Sequence, residues 1–276
     1  MQIYIVSDFF IEEVSGGAEI NDFILYNELN KKLKVKRIRS HELNENLVSS
    51  NSFFIISNFL GINLKVFEKL TKNKNYLLYE HDHKYVLHRN PGMYENFIVP
   101  ENEIINKEFY ENAIRVFVQS NFHKNIVENN LRIKNVVSLS GNLWDDKTLE
   151  YLTFLSKKEK KEACSIMFSN IPHKNMNDSI KFCEVKNLKY ELVEDKTYEK
   201  FLEKLSNNNT LIFFPKTPET LSRICVEARM CNMKVITNVL VGAAKEEWYK
   251  FKGLELIDIM KYKKQEIINL IIEVIK

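Results

Sequence analysis

Short apolar runs recur along the chain. The first half holds IYIV (3–6), SFFIIS (52–57), YLLYE (76–80), RVFVQS (115–120) and NVVSLS (135–140). The second half holds CSIMFS (164–169), LKYELV (188–193), LIFFP (211–215) and KVITN (234–238). Several are apolar throughout, the pattern of strands buried on both faces of a parallel sheet. Between them the apolar positions take up a helical period, as in AEINDFILYNELNKK (18–32), NFHKNIVENNL (121–131) and NDSIKFCEVKN (177–187). Strands alternating with helices predict βαβ units and an α/β fold.

The alternation breaks once. Residues 145–163 read as a helix that ends in the charged stretch KKEKKE (157–162), and the strand-helix rhythm restarts at Cys164. This predicts two Rossmann-like domains, residues 1–156 and 157–276. The last stretch, KQEIINLIIEVIK (264–276), predicts a terminal helix with a broad apolar face.

Composition narrows the class without naming an activity. The chain has 276 residues, 45% hydrophobic and 28% charged, as an ordinary globular protein has. A net charge of +3 does not by itself call for a polyanionic partner. Cys164, Cys183, Cys225 and Cys231 show neither CxxC pairing nor zinc-like spacing, so they are expected to be reduced packing residues of a cytoplasmic protein. No apolar run reaches the ~18–20 residues of a membrane span, and MQIYIVS at the start lacks the basic region of a signal peptide.

Candidate chemistry falls in loops that follow strands. Gly16 and Gly17, within SDFFIEEVSGGAEI (7–20), precede a strong helical pattern. They serve either as a tight turn or as an anion site of free amides at a helix N-terminus. GxGxxG is absent, which gives nicotinamide chemistry little support. After YLLYE come His81, Asp82 and His83, with His88 and Arg89 beyond. Ligand sites in open α/β sheets lie at such strand ends. A polar active-site loop, structural histidines and a divalent metal are all open readings there. The metal requires the chain to turn, because residues two apart on a strand point to opposite sides. Lys174, in NIPHKNMND (170–178), is placed to reach a phosphate near a helix N-terminus. In PETLSRICVEARM (218–230), Glu219 falls at the strand-to-helix loop or the first helical turn, and Glu227 lies off the apolar face of the helix. Glu227 either accepts two hydrogen bonds from a vicinal diol or forms a surface pair with Arg223. NKKLKVKRIRSH (30–41) reads as an outer strand guarded by lysines, or as a contact for an anionic membrane or nucleic acid.

Taken in order, these pieces resemble a known family. The chain looks like a retaining glycosyltransferase of the GT-B fold with an E-x7-E motif, similar to glycosyltransferase family 4. Glu219 and Glu227 match that spacing, SGGAE (15–19) resembles the glycine-rich loop, and RVFVQSNFHKNIVENNL (115–131) and VVSLSGNLW (136–144) resemble the segments that end the first domain. The resemblance implies two Rossmann-like domains facing across a cleft and a nucleotide-sugar donor as substrate, with no cofactor and no bound metal. Within it Glu227 binds the nucleotide ribose, Glu219 the transferred sugar and Lys174 the diphosphate. Gly16 and Gly17 admit phosphate or acceptor, and His81 orients the sugar or acceptor. The acceptor is a hydroxyl on a glycan, lipid or other molecule. Two alternatives stay open: transfer to nucleic-acid bases, and nucleotide-sugar binding without catalysis. The enzyme is expected in the cytoplasm, with membrane-peripheral contact as an option. The sequence departs from the pattern at Thr220-Leu221-Ser222, where the family has Pro-Phe-Gly, and in lacking an arginine shortly before Lys174, where Ser169 and Asn170 stand.

Overall fold

The computed structural model describes residues 1–14 and 16–276 and divides into two compact units, Met1–Leu143 with Lys263–Lys276, and Trp144–Tyr262. Ser15, the first residue of the expected glycine loop, lies outside the described residues.

The first unit contains β1 (Gln2–Ser7), α1 (Gly17–Asn30), β2 (Val35–Arg39), β3 (Ser52–Ile56), α2 (Leu64–Asn73), β4 (Tyr76–Glu80), α3 (Lys107–Asn112), β5 (Val116–Val118), α4 (Asn121–Leu131) and β6 (Val136–Ser138). Its strands form a parallel sheet in the order β2-β1-β3-β4-β5-β6. Because side chains alternate along a strand, one apolar run supplies two cores. Tyr4, Val6, Phe54, Ile56 and Leu78 face one side. Ile3, Ile5, Phe53, Ile55 and Leu77 face the other, where Ile24, Leu25 and Leu29 of α1 cover them.

The second unit contains α5 (Asp146–Ser156), β7 (Lys161–Met167), α6 (Met176–Val185), β8 (Tyr190–Val193), α7 (Tyr198–Leu205), β9 (Asn208–Phe213), α8 (Arg223–Met230) and β10 (Lys234–Thr237), with a parallel sheet in the order β10-β9-β7-β8. Helix α9 (Gly253–Ile275) begins in this unit and ends in the first. Side-chain caps start several helices: Ser120 accepts from His123 N at α4, and Asp145 accepts from Thr148 N at α5.

The division differs from the expected one at residue 156/157. Leu149, Leu152 and Leu155 of α5 pack in the core of the second unit, so the boundary falls before Trp144. The charged stretch runs into the sheet, since Lys161 and Glu162 already belong to β7. At the other end, Ile267, Ile268, Ile271, Ile272 and Ile275 of α9 complete a core of the first unit, so 263–276 leaves the domain to which the sequence assigned it. The stretch 30–41 contains β2, an edge strand as its lysines suggested. All four cysteines are buried free thiols. Among the described residues, no helix is long and apolar enough to cross a membrane.

Candidate functional site

Each unit carries a polar cluster on the loops that follow its strands. In the first, β4 delivers His81, whose Nε2 lies 2.7 Å from Asp22 Oδ1 and whose Nδ1 meets the Gln119 amide. Backbone geometry sets the polarity of this chain of bonds. The Leu143 N–H donates to Asn142 Oδ1, which leaves the Asn142 amide to donate to Gln119 Oε1 at 3.2 Å. Gln119 then presents its own N–H to His81 Nδ1, and His81 donates from Nε2 to Asp22. The Ser57 hydroxyl donates to the other Asp22 oxygen at 2.6 Å. Both ring nitrogens of His81 are therefore engaged inside the fold. Both His81 and Asp22 are almost fully buried.

Gly16 caps α1 in extended backbone (φ −94°, ψ 167°) without a side-chain bond, and Gly17 is the first helical residue. Glu19, in the first turn, folds back over Gly16 where a Cβ would stand. Burial lifts the Glu19 carboxyl above the ordinary glutamate range, Asp22 and Asp8 add to the rise, and its own amide and His81 oppose it.

The remainder of the HDH stretch turns inward. Asp82 pairs with Lys84 at 2.7 Å and with Arg89, and the fully buried Lys84 also pairs with Glu80, which accepts from the Tyr110 hydroxyl. His83 contacts the Tyr85 hydroxyl at 3.1 Å, and its ring packs edge-on to His123 at 4.8 Å. Burial holds both of these histidines well below the ordinary imidazole value. His81, Asp82 and His83 thus face three different sets of partners. Among the described residues, no three His, Cys, Asp or Glu side chains are grouped to hold a metal.

In the second unit Lys174 sits at the end of a 3₁₀ turn, Pro172–Lys174, after β7. Its ammonium lies 2.6 Å from Glu219 Oε1, and both side chains remain partly exposed, 26% and 14%. Glu219 precedes the helix: it bridges Val241 in parallel fashion, donating N–H to Leu240 O and accepting from Gly242 N. Helix α8 starts only at Arg223, so of the two positions open to Glu219 in the sequence the structure has the strand-to-helix loop. Ser222 occupies the N-cap at φ 77°, ψ 86°, in the left-handed region. This is where the family motif has glycine.

Glu227 is 2% exposed. Trp144 Nε1 donates to its Oε1 at 3.0 Å, the Tyr198 hydroxyl donates to the same oxygen, and Arg223 Nε forms an ion pair with it at 3.3 Å. Oε2 receives no donor among the described residues. The Arg223–Glu227 pair read from the sequence exists, but it is buried rather than at the surface, with 10% and 3% of the side chains exposed. The Arg223 guanidinium lies over the Trp144 ring at 4.5 Å. Arg229, near the end of α8, donates to the Lys250 and Phe251 carbonyls.

The structure therefore brings Lys174 to Glu219, surrounds Glu227 with Trp144, Tyr198 and Arg223, and sets Gly16, Gly17 and His81 in the other unit. Trp144, Tyr198, Asp22 and Gln119 escaped the sequence reading as site residues. Asp22 had a usable signal: with Asn21 it stands among Ile24, Leu25 and Leu29 on the buried side of α1. The meeting of Trp144, Tyr198 and Glu227 has no signal in sequence spacing. Arg37 and Arg39 of β2 are paired with Glu12, Glu13 and Glu42.

No family model matches the sequence, and no curated protein matches it. Solved structures match in fold. Anabaena HepE in complex with UDP and glucose has a TM-score of 0.54 at 13% identity, covering 97% of this chain and 90% of that one. HepE in complex with UDP has a TM-score of 0.50 at 12% identity, covering 100% and 97%. An alpha-glucosyltransferase in complex with UDP and DNA containing an HMU base has a TM-score of 0.49 at 10% identity, covering 97% and 95%. At these identities the likeness is one of fold, and the fold class is the α/β, GT-B type expected from the sequence.

Proposed function

We propose that the protein is a nucleotide-sugar-dependent glycosyltransferase that moves a sugar onto a hydroxyl acceptor with retention of anomeric configuration. The observation that carries this reading is the second unit's arrangement of a partly exposed Lys174–Glu219 ion pair with a buried Glu227 that keeps one oxygen donor-free. HepE holds UDP and glucose on the same fold, which agrees with a uridine nucleotide as the first donor to try.

The chemistry follows from charge and position. A donor diphosphate draws the Lys174 ammonium away from Glu219, because the phosphate carries more charge than one carboxylate. The displaced Glu219 is then free to accept from hydroxyls of the transferred sugar. Lys174 and the first-turn amides of α8 offset the charge that builds on the leaving diphosphate, in place of a metal ion. Glu227 accepts from the ribose. In the first unit, Gly16 and Gly17 leave room for phosphate or acceptor, and Asp22 and Gln119 hold the His81 ring in one orientation. Catalysis then rests on positioning and electrostatics, with an oxocarbenium-like state between donor and acceptor. A cytoplasmic location, with or without contact to a membrane surface, accompanies this reading.

The test is release of nucleoside diphosphate by the purified protein from a panel of nucleotide sugars, with and without EDTA. Turnover of at least one donor is expected to persist in EDTA and to fall ~100-fold or more in Glu219→Ala and Lys174→Ala, the loss typical of groups that stabilise transition-state charge. No turnover of any donor, or turnover indifferent to Glu219→Ala, overturns the reading.

A further inference from the structure

Glu19 stands in the first turn of α1, half-buried, with its carboxyl in the space over Gly16 that a Cβ would fill. It closes no side-chain cap on the helix, and among the described residues it forms no ion pair. Its own amide is its one donor there. Asp8 and Asp22 lie near enough to raise its hold on a proton. Asp8 is held by the Ser40 hydroxyl and the Gly61 amide, and Asp22 by Ser57 and His81. No lysine or arginine pairs with any of these three carboxylates among the described residues. Ser7 ends β1 on the side that Ile3 and Ile5 share with α1. It is fully buried, and its Oγ has no hydrogen-bond partner. A buried hydroxyl in that state is costly, and a polar group from outside the chain offsets the cost.

On the reading that the protein moves a sugar onto a hydroxyl acceptor, we propose that Glu19 selects that acceptor. Its carboxylate accepts a hydrogen bond from a hydroxyl, and the glycine loop takes a neutral polyhydroxyl group, such as a hexose ring, while turning phosphate away. The first-turn amides of a helix attract an anion. In α1 that attraction is met from within the chain, because the Glu19 carboxyl already lies over Gly16. A second anion there meets three carboxylates with no cation paired to them. Ionised phosphate also brings no proton for Glu19 to accept, whereas every sugar hydroxyl does. Partial burial makes such a bond count for more than it would in water. Gly16 is then required by Glu19 itself, since a Cβ would displace the carboxyl. A glycan fits a loop of this character and a phosphodiester chain does not.

Amide NMR spectra of the isotope-labelled full chain test this, with inorganic phosphate and the methyl glycosides of glucose, galactose and mannose as separate probes. In the wild type at least one glycoside is expected to move the Gly16 and Gly17 signals saturably, and phosphate to leave them in place. Phosphate bound at Lys174 does not confuse the result, because the readout is confined to the loop. Glu19→Gln keeps the shape and removes the charge. It is expected to weaken the glycoside ~10-fold, the difference between a charged and a neutral acceptor, and to let phosphate move both signals. A purely structural role for Glu19 lowers stability and leaves unchanged which probe moves the signals, which overturns the proposal. Phosphate acting on the wild-type loop, or no glycoside acting on it, overturns it as well. Should Glu19→Gln fail to fold, Gly16→Ala replaces it, because φ −94° suits any residue and the added Cβ expels the carboxyl. The two readings fail apart. Absence of donor turnover removes the transferase and with it the acceptor role, whereas a working transferase whose loop ignores glycosides overturns the present inference alone.

Discussion

Ser222 shows how a single backbone angle bears on the turn into α8. At φ 77° a Cβ crowds its own backbone and a glycine does not, which is why glycine suits the turn into α8. Ser222→Gly is expected to raise stability by ~0.5–1 kcal/mol once the larger unfolded-state entropy of glycine is deducted. A urea titration checks it, as a higher midpoint with unchanged slope; a lower midpoint contradicts the strain. Residue-level reading of the sequence reached Glu219, Glu227 and Lys174, because each stands in a loop or helix that follows a strand. It did not reach the environment of Glu227. An i, i+4 pair with Arg223 looks the same in sequence whether a buried tryptophan lies beneath it or water does. The indole of Trp144, 83 positions away in the chain, made that difference.

The segment between β4 and α3 turns His83 and Lys84 inward, while His88 and Arg89 stay exposed. Its Lys84 is fully buried against Glu80 and Asp82, and His83 packs on His123 from α4. Burial depresses both histidines, with Lys84 and the neighbouring imidazoles as lesser contributions. A base whose folded-state value lies below its unfolded one gives stability that is present above the unfolded value and is lost as pH falls beneath it. Stability is therefore expected to decline below about pH 6.5, by up to ~1.4 kcal/mol per pH unit for each histidine. Denaturant titrations between pH 7 and 5 read the decline directly, and His83→Phe is expected to reduce its slope. An unchanged slope would show that His83 takes no part. Strand β2 makes a similar point about elements. Its position at the sheet edge was legible from its lysines, but the pairing of Arg37 and Arg39 with Glu12 and Glu13 was not, because those partners come from the loop after β1.

At the scale of the molecule, α9 departs furthest from the reading of domains as consecutive stretches. Five isoleucines between 267 and 275 are buried in a core of the unit that the chain left at Leu143. Each withdraws apolar surface worth ~1.5–3 kcal/mol, so together they approach or exceed the net stability of a typical domain. A chain ending at Tyr262 is expected to lose the cooperative unfolding of the first unit and to expose surface that binds a hydrophobic dye. A truncated protein that melts as the full chain does would refute this. By itself the sequence determined the alternation of strands and helices, the α/β class, the number of sheets and the loops that carry polar residues. Those follow from local periodicity, which the backbone obeys wherever the segment packs. Only the tertiary structure decided that α9 completes the first unit, that Glu219 precedes α8, and that Glu227 keeps one oxygen open while Trp144 and Tyr198 fill the other. Such outcomes depend on contacts between residues far apart in the chain, and no spacing along it encodes them.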